Sequence, residues 1–177
     1  MKIIVFLLLN FFPIQESKVG IVDIGTNTIP GEIYFSNINL RDFTSGVKSI
    51  DSITLFGQVT QSSKYETVAE TDYFYSFEGY DMIFAQLSQT PELIELRSTN
   101  PSISLNFKNL TIQPGMLLDE LTVPFRVFAK EQKVLPEFGM VSLEEITHHP
   151  SGTSSIRIIY DLDTEVIKEV LFLGSAL

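Results

Sequence analysis

Apolar positions recur at a spacing near three in two stretches of the chain. In the first, Val47, Ile50, Ile53 and Phe56 fall at every third residue; in the second, Met116, Leu117, Leu121 and Phe125 follow the Pro114-Gly115 step. Such spacing predicts one buried stripe on a short helix in each stretch, ended by Gly57 in the first and by Pro124 in the second. Elsewhere the period is two. Tyr73, Tyr75 and Phe77 alternate with Phe74, Ser76 and Glu78, and the Glu78-Gly79 step before Tyr80 to Phe84 predicts a hairpin turn. Ile103 to Phe107 begins another alternating strand beyond the break at Thr99-Asn100-Pro101. A last pair of strands, Ile156 to Tyr160 and Val166 to Phe172, is joined by a polar turn through Asp161-Leu162-Asp163-Thr164.

These elements occur in the same order twice. Ile50 to Leu55 lies over Leu118 to Val123 with Asp and Thr identical and each apolar position kept, and a glycine precedes each copy, Gly46 and, with a one-residue shift, Gly115. Further on, Ile83 to Leu87 lies over Ile158 to Leu162, and after a one-residue gap Leu93, Glu95 and Leu96 lie over Ile167, Glu169 and Val170. One short helix with three or four strands cannot cover both faces of its own sheet. The expected fold class is therefore α+β: two tandem helix-plus-strands repeats, about 33–100 and 101–177, forming one antiparallel sheet with short helices on one face. The other face is left for solvent or a partner.

Composition narrows the function classes. The chain has 177 residues and is 44% hydrophobic, enough for a single domain with its own core. A net charge of −10 opposes nucleic-acid binding, because that affinity comes from Lys and Arg neutralising phosphates. The absence of cysteine excludes disulfides, thiolate metal sites, a cysteine nucleophile and a lipidated cysteine. Residues 1–14 place one lysine before an apolar run too short to span a bilayer, the layout of an export signal over residues 1–17. Export would make 18–177 the mature single domain, secreted or periplasmic; a buried first strand is the other reading and would leave the protein cytoplasmic. No later segment is long and apolar enough for an integral membrane span.

Candidate chemistry is sparse. Val22-Asp23-Ile24-Gly25-Thr26-Asn27-Thr28 resembles the first phosphate motif of the actin-like sugar kinase superfamily, whose two halves and second phosphate loop this length does not supply; it is read as a strand entering a Gly-Thr turn. Asp161, Asp163 and Glu165 alternate like cation ligands but lack the glycine-bearing turn of a calcium loop. His148 and His149, the two histidines, are adjacent and would point to opposite faces of a strand. Asn109-Leu110-Thr111 is a formal glycosylation sequon beside the second expected helix. No nucleophile constellation or phosphate-binding glycine loop emerges, so no catalytic residue, metal site or cofactor is expected, and the chain is read as a non-enzyme. From Glu66 to Glu95, seven acidic residues stand without Lys or Arg among tyrosines and phenylalanines. Glu70, Asp72, Tyr73, Tyr75, Glu78, Tyr80 and Asp81 of this stretch are the candidate partner-binding residues, suited to a protein with a basic surface.

Ser45-Gly46-Val47 to Phe56-Gly57 and Pro114-Gly115-Met116 to Pro124-Phe125 resemble the glycine-then-short-helix signature of a bacterial envelope group. That group contains the small outer-membrane assembly lipoproteins, the tandem-repeat β-lactamase inhibitor proteins and secreted members without an assigned activity. The resemblance implies a domain that binds proteins across a concave sheet. A lipid anchor and disulfides are not carried over, since this chain has no cysteine. The expected function is a secreted or periplasmic protein-binding module, as an inhibitor or immunity factor; the alternatives are a structural or assembly component of the cell envelope and, third, an enzyme.

Overall fold

The structure, a computed structural model, describes residues 29–86, 90–121, 130–147 and 153–174. The expected export signal, the Asp23-Gly25-Thr26 stretch and both histidines lie outside them. Most of the described chain is strand. In order come β1 (Ile29–Pro30), β2 (Ile33–Phe35), β3 (Ile38–Asn39), the four-residue helix α1 (Arg41–Thr44) and a 3-10 segment, Ile50–Phe56. Then follow β4 (Gln61–Glu66), β5 (Thr71–Phe77), β6 (Tyr80–Gln86) and β7 (Glu92–Ser98). The second part repeats the order with β8 (Leu105–Phe107), β9 (Leu110–Ile112), a 3-10 segment at Leu118–Glu120, β10 (Lys130–Lys133), β11 (Phe138–Thr147), β12 (Thr153–Asp161) and β13 (Ile167–Gly174).

The strands form two sheets. The large one has nine strands, in the order β1-β11-β12-β13-β7-β6-β5-β4, with β10 on the same edge of β11 as the parallel β1. The small one has the order β3-β2-β8-β9. Each part of the chain thus lays down a hairpin and then a four-stranded meander. The meanders meet through their last strands, with Leu171 of β13 opposite Arg97 of β7 and Phe172 opposite Leu96. The hairpins meet through their first strands, with Tyr34 opposite Asn106.

This corrects the expected α+β class: the protein is β-rich, with two sheets instead of one and a second sheet where short helices were expected. Period explains the difference. A spacing of three matches the 3.0 residues per turn of a 3-10 helix, where side chains at i and i+3 eclipse, and such helices stay short. Val47 therefore lies outside the segment and is 76% exposed, while Phe56 is buried. In the second stretch, Leu118–Glu120 makes a single 3-10 turn; residues 122–125 lie outside the described part. The alternation at Ile103 to Phe107 foreshadows β8, while β2, β3 and β9, of at most three residues each, are too short to express a period. The turns of the two hairpins are two residues long, Ser36-Asn37 and Lys108-Asn109, and the first residue of each has positive φ, 54° and 53°. Asn109 of the sequon therefore sits in a hairpin turn, not beside a helix.

One core lies between the sheets. Ile33, Phe35, Leu105, Phe107, Leu110 and Ile112 of the small sheet pack with Met82, Phe84, Leu96, Ile156, Ile158 and Phe172 of the large one. Phe43 of α1 and Phe56 close one side, their rings 4.8 Å apart and edge-on. The segment around Leu118 is tied down at the β12–β13 turn, where the Leu118 N–H donates to Glu165 O and the Gly115 N–H to Ile167 O, both at 2.8 Å. Among the described residues no helix is long and apolar enough to cross a membrane.

Candidate functional site

Strand alternation sends one set of side chains from the large sheet into this core and the other set to the opposite face. Register defines a row across that second face: Gln61, Ser76, Asp81, Arg97, Leu171, Arg157 and Ser142 stand opposite one another from β4 to β11. A neighbouring row runs Ser63, Phe74, Ile83, Glu95 and Leu173. Asp81 and Arg97 are exposed and Phe74, Ile83, Glu95 and Leu173 half-buried. Leu171 is 8% exposed although it lies outside the core cluster; its register neighbours are the long-stemmed Arg97 and Arg157.

The charges of this face meet where the two meanders join. Arg97 Nε lies 3.5 Å from Glu95 Oε1 and 3.3 Å from Glu169 Oε1, so one guanidinium from β7 bridges a carboxylate of its own strand and one of β13. Burial pushes the Glu169 carboxyl above its ordinary value, Arg97 opposes that shift and Glu95 adds to it. A raised acid binds protons more readily in the folded state than in the unfolded one, so its ionisation lowers stability as pH rises above the unfolded value of 4.5. Glu169→Gln is therefore expected to flatten the fall in urea midpoint from pH 4.5 upward; an unchanged profile would show that Glu169 does not set it.

The seven residues expected to bind a partner are not brought together. Asp72 and Asp81 reach the second face, with Asp72 half-buried and Asp81 exposed. Glu70 and Glu78 are exposed at opposite ends of β5, in the turns to β4 and to β6. The three tyrosines point to the core side. Tyr73 is half-buried and donates its hydroxyl hydrogen bond to Gln86 Oε1 at 2.9 Å. Tyr75 stands edge-on to Phe84 with ring centroids 6.1 Å apart, and burial raises its phenol pKa. Tyr80 is a core residue and has to be removed from the set: it stacks on Phe77 at 4.5 Å, its hydroxyl donates to the Phe56 carbonyl, and burial pushes its pKa up to about 12. Alternation explains the split, since residues 73, 75 and 77 share the face that 72, 74 and 76 do not.

Arg97, Arg157, Glu169 and Leu171 are the members of this face that the acidic-stretch reading missed. The signal was present in Glu95-Leu96-Arg97 and Ile156-Arg157-Ile158, where charged residues alternate with apolar ones inside strands; Leu171, beside Val170, carries no such signal. The other candidates serve local structure. Asp161 Oδ1 accepts from the Asp163 N–H, the Thr164 N–H and the Thr164 hydroxyl at 2.9–3.1 Å, which holds its carboxyl below the usual range and commits that oxygen to the turn. Among the described residues no three His, Cys, Asp or Glu side chains gather as a metal site.

No family model and no curated protein matches the chain. A solved structure of a cysteine-rich secretory protein from Staphylococcus aureus aligns at 15% identity and a TM-score of 0.37, covering 71% of this chain and 43% of that one. The chain therefore spans less than half of that protein, and a likeness at this level carries no argument about function.

Proposed function

We propose that this chain is a protein-binding module working outside the cytoplasm, as an inhibitor or immunity factor, and that the partner docks on the face of the large sheet turned away from the small one. The observation that carries the reading is the mixed face itself: Asp81, Arg97, Glu95 and Glu169 lie around the half-buried Ile83 and Leu173, so apolar contact area is interleaved with charges of both signs. Aliphatic side chains supply contact area and the charges fix register and exclude wrong partners. The recurrence of hairpin, 3-10 turn and meander in both parts supports an internal duplication, which would give one broad face where a single copy gives half. The apolar run near residue 1 supports export.

The test is site-specific photo-crosslinking in the producing cell. A photoreactive residue at Ile83 should yield a discrete adduct, one at Thr111 of the small sheet should not, and Arg97→Glu should weaken the first adduct about tenfold, equivalent to about 1.4 kcal/mol. Equal adducts from both positions, or none, would remove the proposal. Stable sedimentation of the protein with membranes would favour the envelope-assembly reading instead.

A further inference from the structure

Among the described residues the large sheet ends at β4, and all six residues of that strand are exposed. Its unpaired hydrogen-bonding groups follow from the register with β5. The Thr67 N–H donates to Glu70 O and closes the hairpin, and Thr60 at the other end donates to Ser76 O, the carbonyl facing Gln61. Counting alternately from the closing pair, residues 61, 63 and 65 bond to β5, and the N–H and C=O groups of Ser62, Lys64 and Glu66 point away from the sheet. Bare edges of this kind invite another strand, and a lone lysine normally discourages it. Here Lys64 is followed two residues on by Glu66, with which it forms an ion pair on the same face of the strand.

The geometry points to β4 as a homodimer edge: a second copy of this chain adds its own β4 antiparallel, centred on Tyr65, to make one continuous sheet through both molecules. Only outward-pointing residues can pair with outward-pointing residues, which restricts the two-fold registers to a few. The register centred on Lys64 sets two lysines opposite each other. The one centred on Ser63 places Lys64 opposite Ser62 and leaves Glu66 without a cation. The register centred on Tyr65 sets each Lys64 opposite the partner's Glu66, so the two intrachain ion pairs close into a square of alternating charge. It also brings the two Tyr65 rings opposite each other at a non-hydrogen-bonded position, where side chains come closest. Tyr65 is 60% exposed in the monomer, and the neighbouring Val68 is fully exposed. The strand is thus its own electrostatic complement in one register. The inference is independent of the proposed function, because β4 lies at the opposite end of the sheet path from β12 and β11 and away from the Arg97 cluster.

Sedimentation equilibrium from about 10 µM to 1 mM, the range suited to a small interface, reads the result. The wild-type chain should pass from monomer to dimer within it. Lys64→Glu and Glu66→Lys should each weaken the dimer at least tenfold, and the double swap carrying both should restore it to within about threefold, since it recreates the pairs with reversed sign. Amide exchange gives a second reading: Lys64 and Glu66 should slow at high concentration while Ser63 and Tyr65 do not change. A chain that is monomeric up to 1 mM, a dimer insensitive to the single reversals, or a double swap as weak as either single would overturn the inference.

Discussion

Phe172→Ala is expected to lower the free energy of unfolding by about 3–5 kcal/mol, the usual range for removing a buried phenylalanine ring. The ring is fully buried on β13, opposite Leu96 of β7 on one side and Ile156 of β12 on the other. It sits at the junction of the two meanders, so its loss should destabilise them together. The chain has no tryptophan, which leaves tyrosine fluorescence to report on Tyr34, Tyr65, Tyr73, Tyr75 and Tyr80 of the first part and Tyr160 of the second. Urea unfolding followed by tyrosine fluorescence and by far-ultraviolet circular dichroism should give coincident midpoints in both proteins, displaced in parallel. Separate midpoints, with only one of them moved, would mean that the two parts unfold as independent units.

Phe43→Ala should cost a similar amount, about 3–5 kcal/mol, by a different route. A helix of four residues has no stability of its own, and the N-cap residue of α1, Leu40, supplies no side-chain cap. It is held by Phe43, which is fully buried edge-on to Phe56 at 4.8 Å and to Phe84 at 6.4 Å. The amides this anchor protects are those of Thr44, Ser45 and Lys48, which donate to Leu40 O, Arg41 O and Asp42 O. In the variant they should exchange faster than the global loss of stability accounts for, while amides of β12 and β13 follow the global value. Uniform acceleration across the molecule would show that α1 is not a local unit hung on this ring.

The parts of the fold legible in the sequence are mostly strands long enough to express a period; the ten-residue β11 is the exception, because a bulge between Leu143 and Ile146 breaks its alternation. β5, β6, β12 and β13 run seven to nine residues, and the Glu78-Gly79 turn declares itself through Gly79, whose φ of 82° suits glycine. In the small sheet only β8 is legible, inside the alternating run Ile103 to Phe107; β2, β3 and β9 are too short to express a period. The stripe at Val47, Ile50, Ile53 and Phe56 has a clear period, but a spacing of three is shared by an α-helical face and a 3-10 ridge, and only the second forms. The candidate residues are split between two faces for a different reason. Counting charge along residues 66–95 merges the two faces of each strand, so it grouped Tyr80, a core residue, with Asp81, a surface one. The Arg97–Glu169 pair joins residues far apart in the chain, and no local pattern reports that β7 and β13 are neighbours.

The way the meanders meet dictates an order of events during synthesis on the ribosome. β13 is the last described strand of the nascent chain, and until it emerges β7 has no neighbour on its far side, so Leu96 lacks the ring of Phe172 that covers it in the finished protein. The early portion must wait with a raw flank on β7 in addition to the one on β4, and pairing that distant in sequence forms slowly. The nascent protein is therefore most open to mispairing, and to capture by chaperones, in the interval between release of residue 98 and release of residue 174.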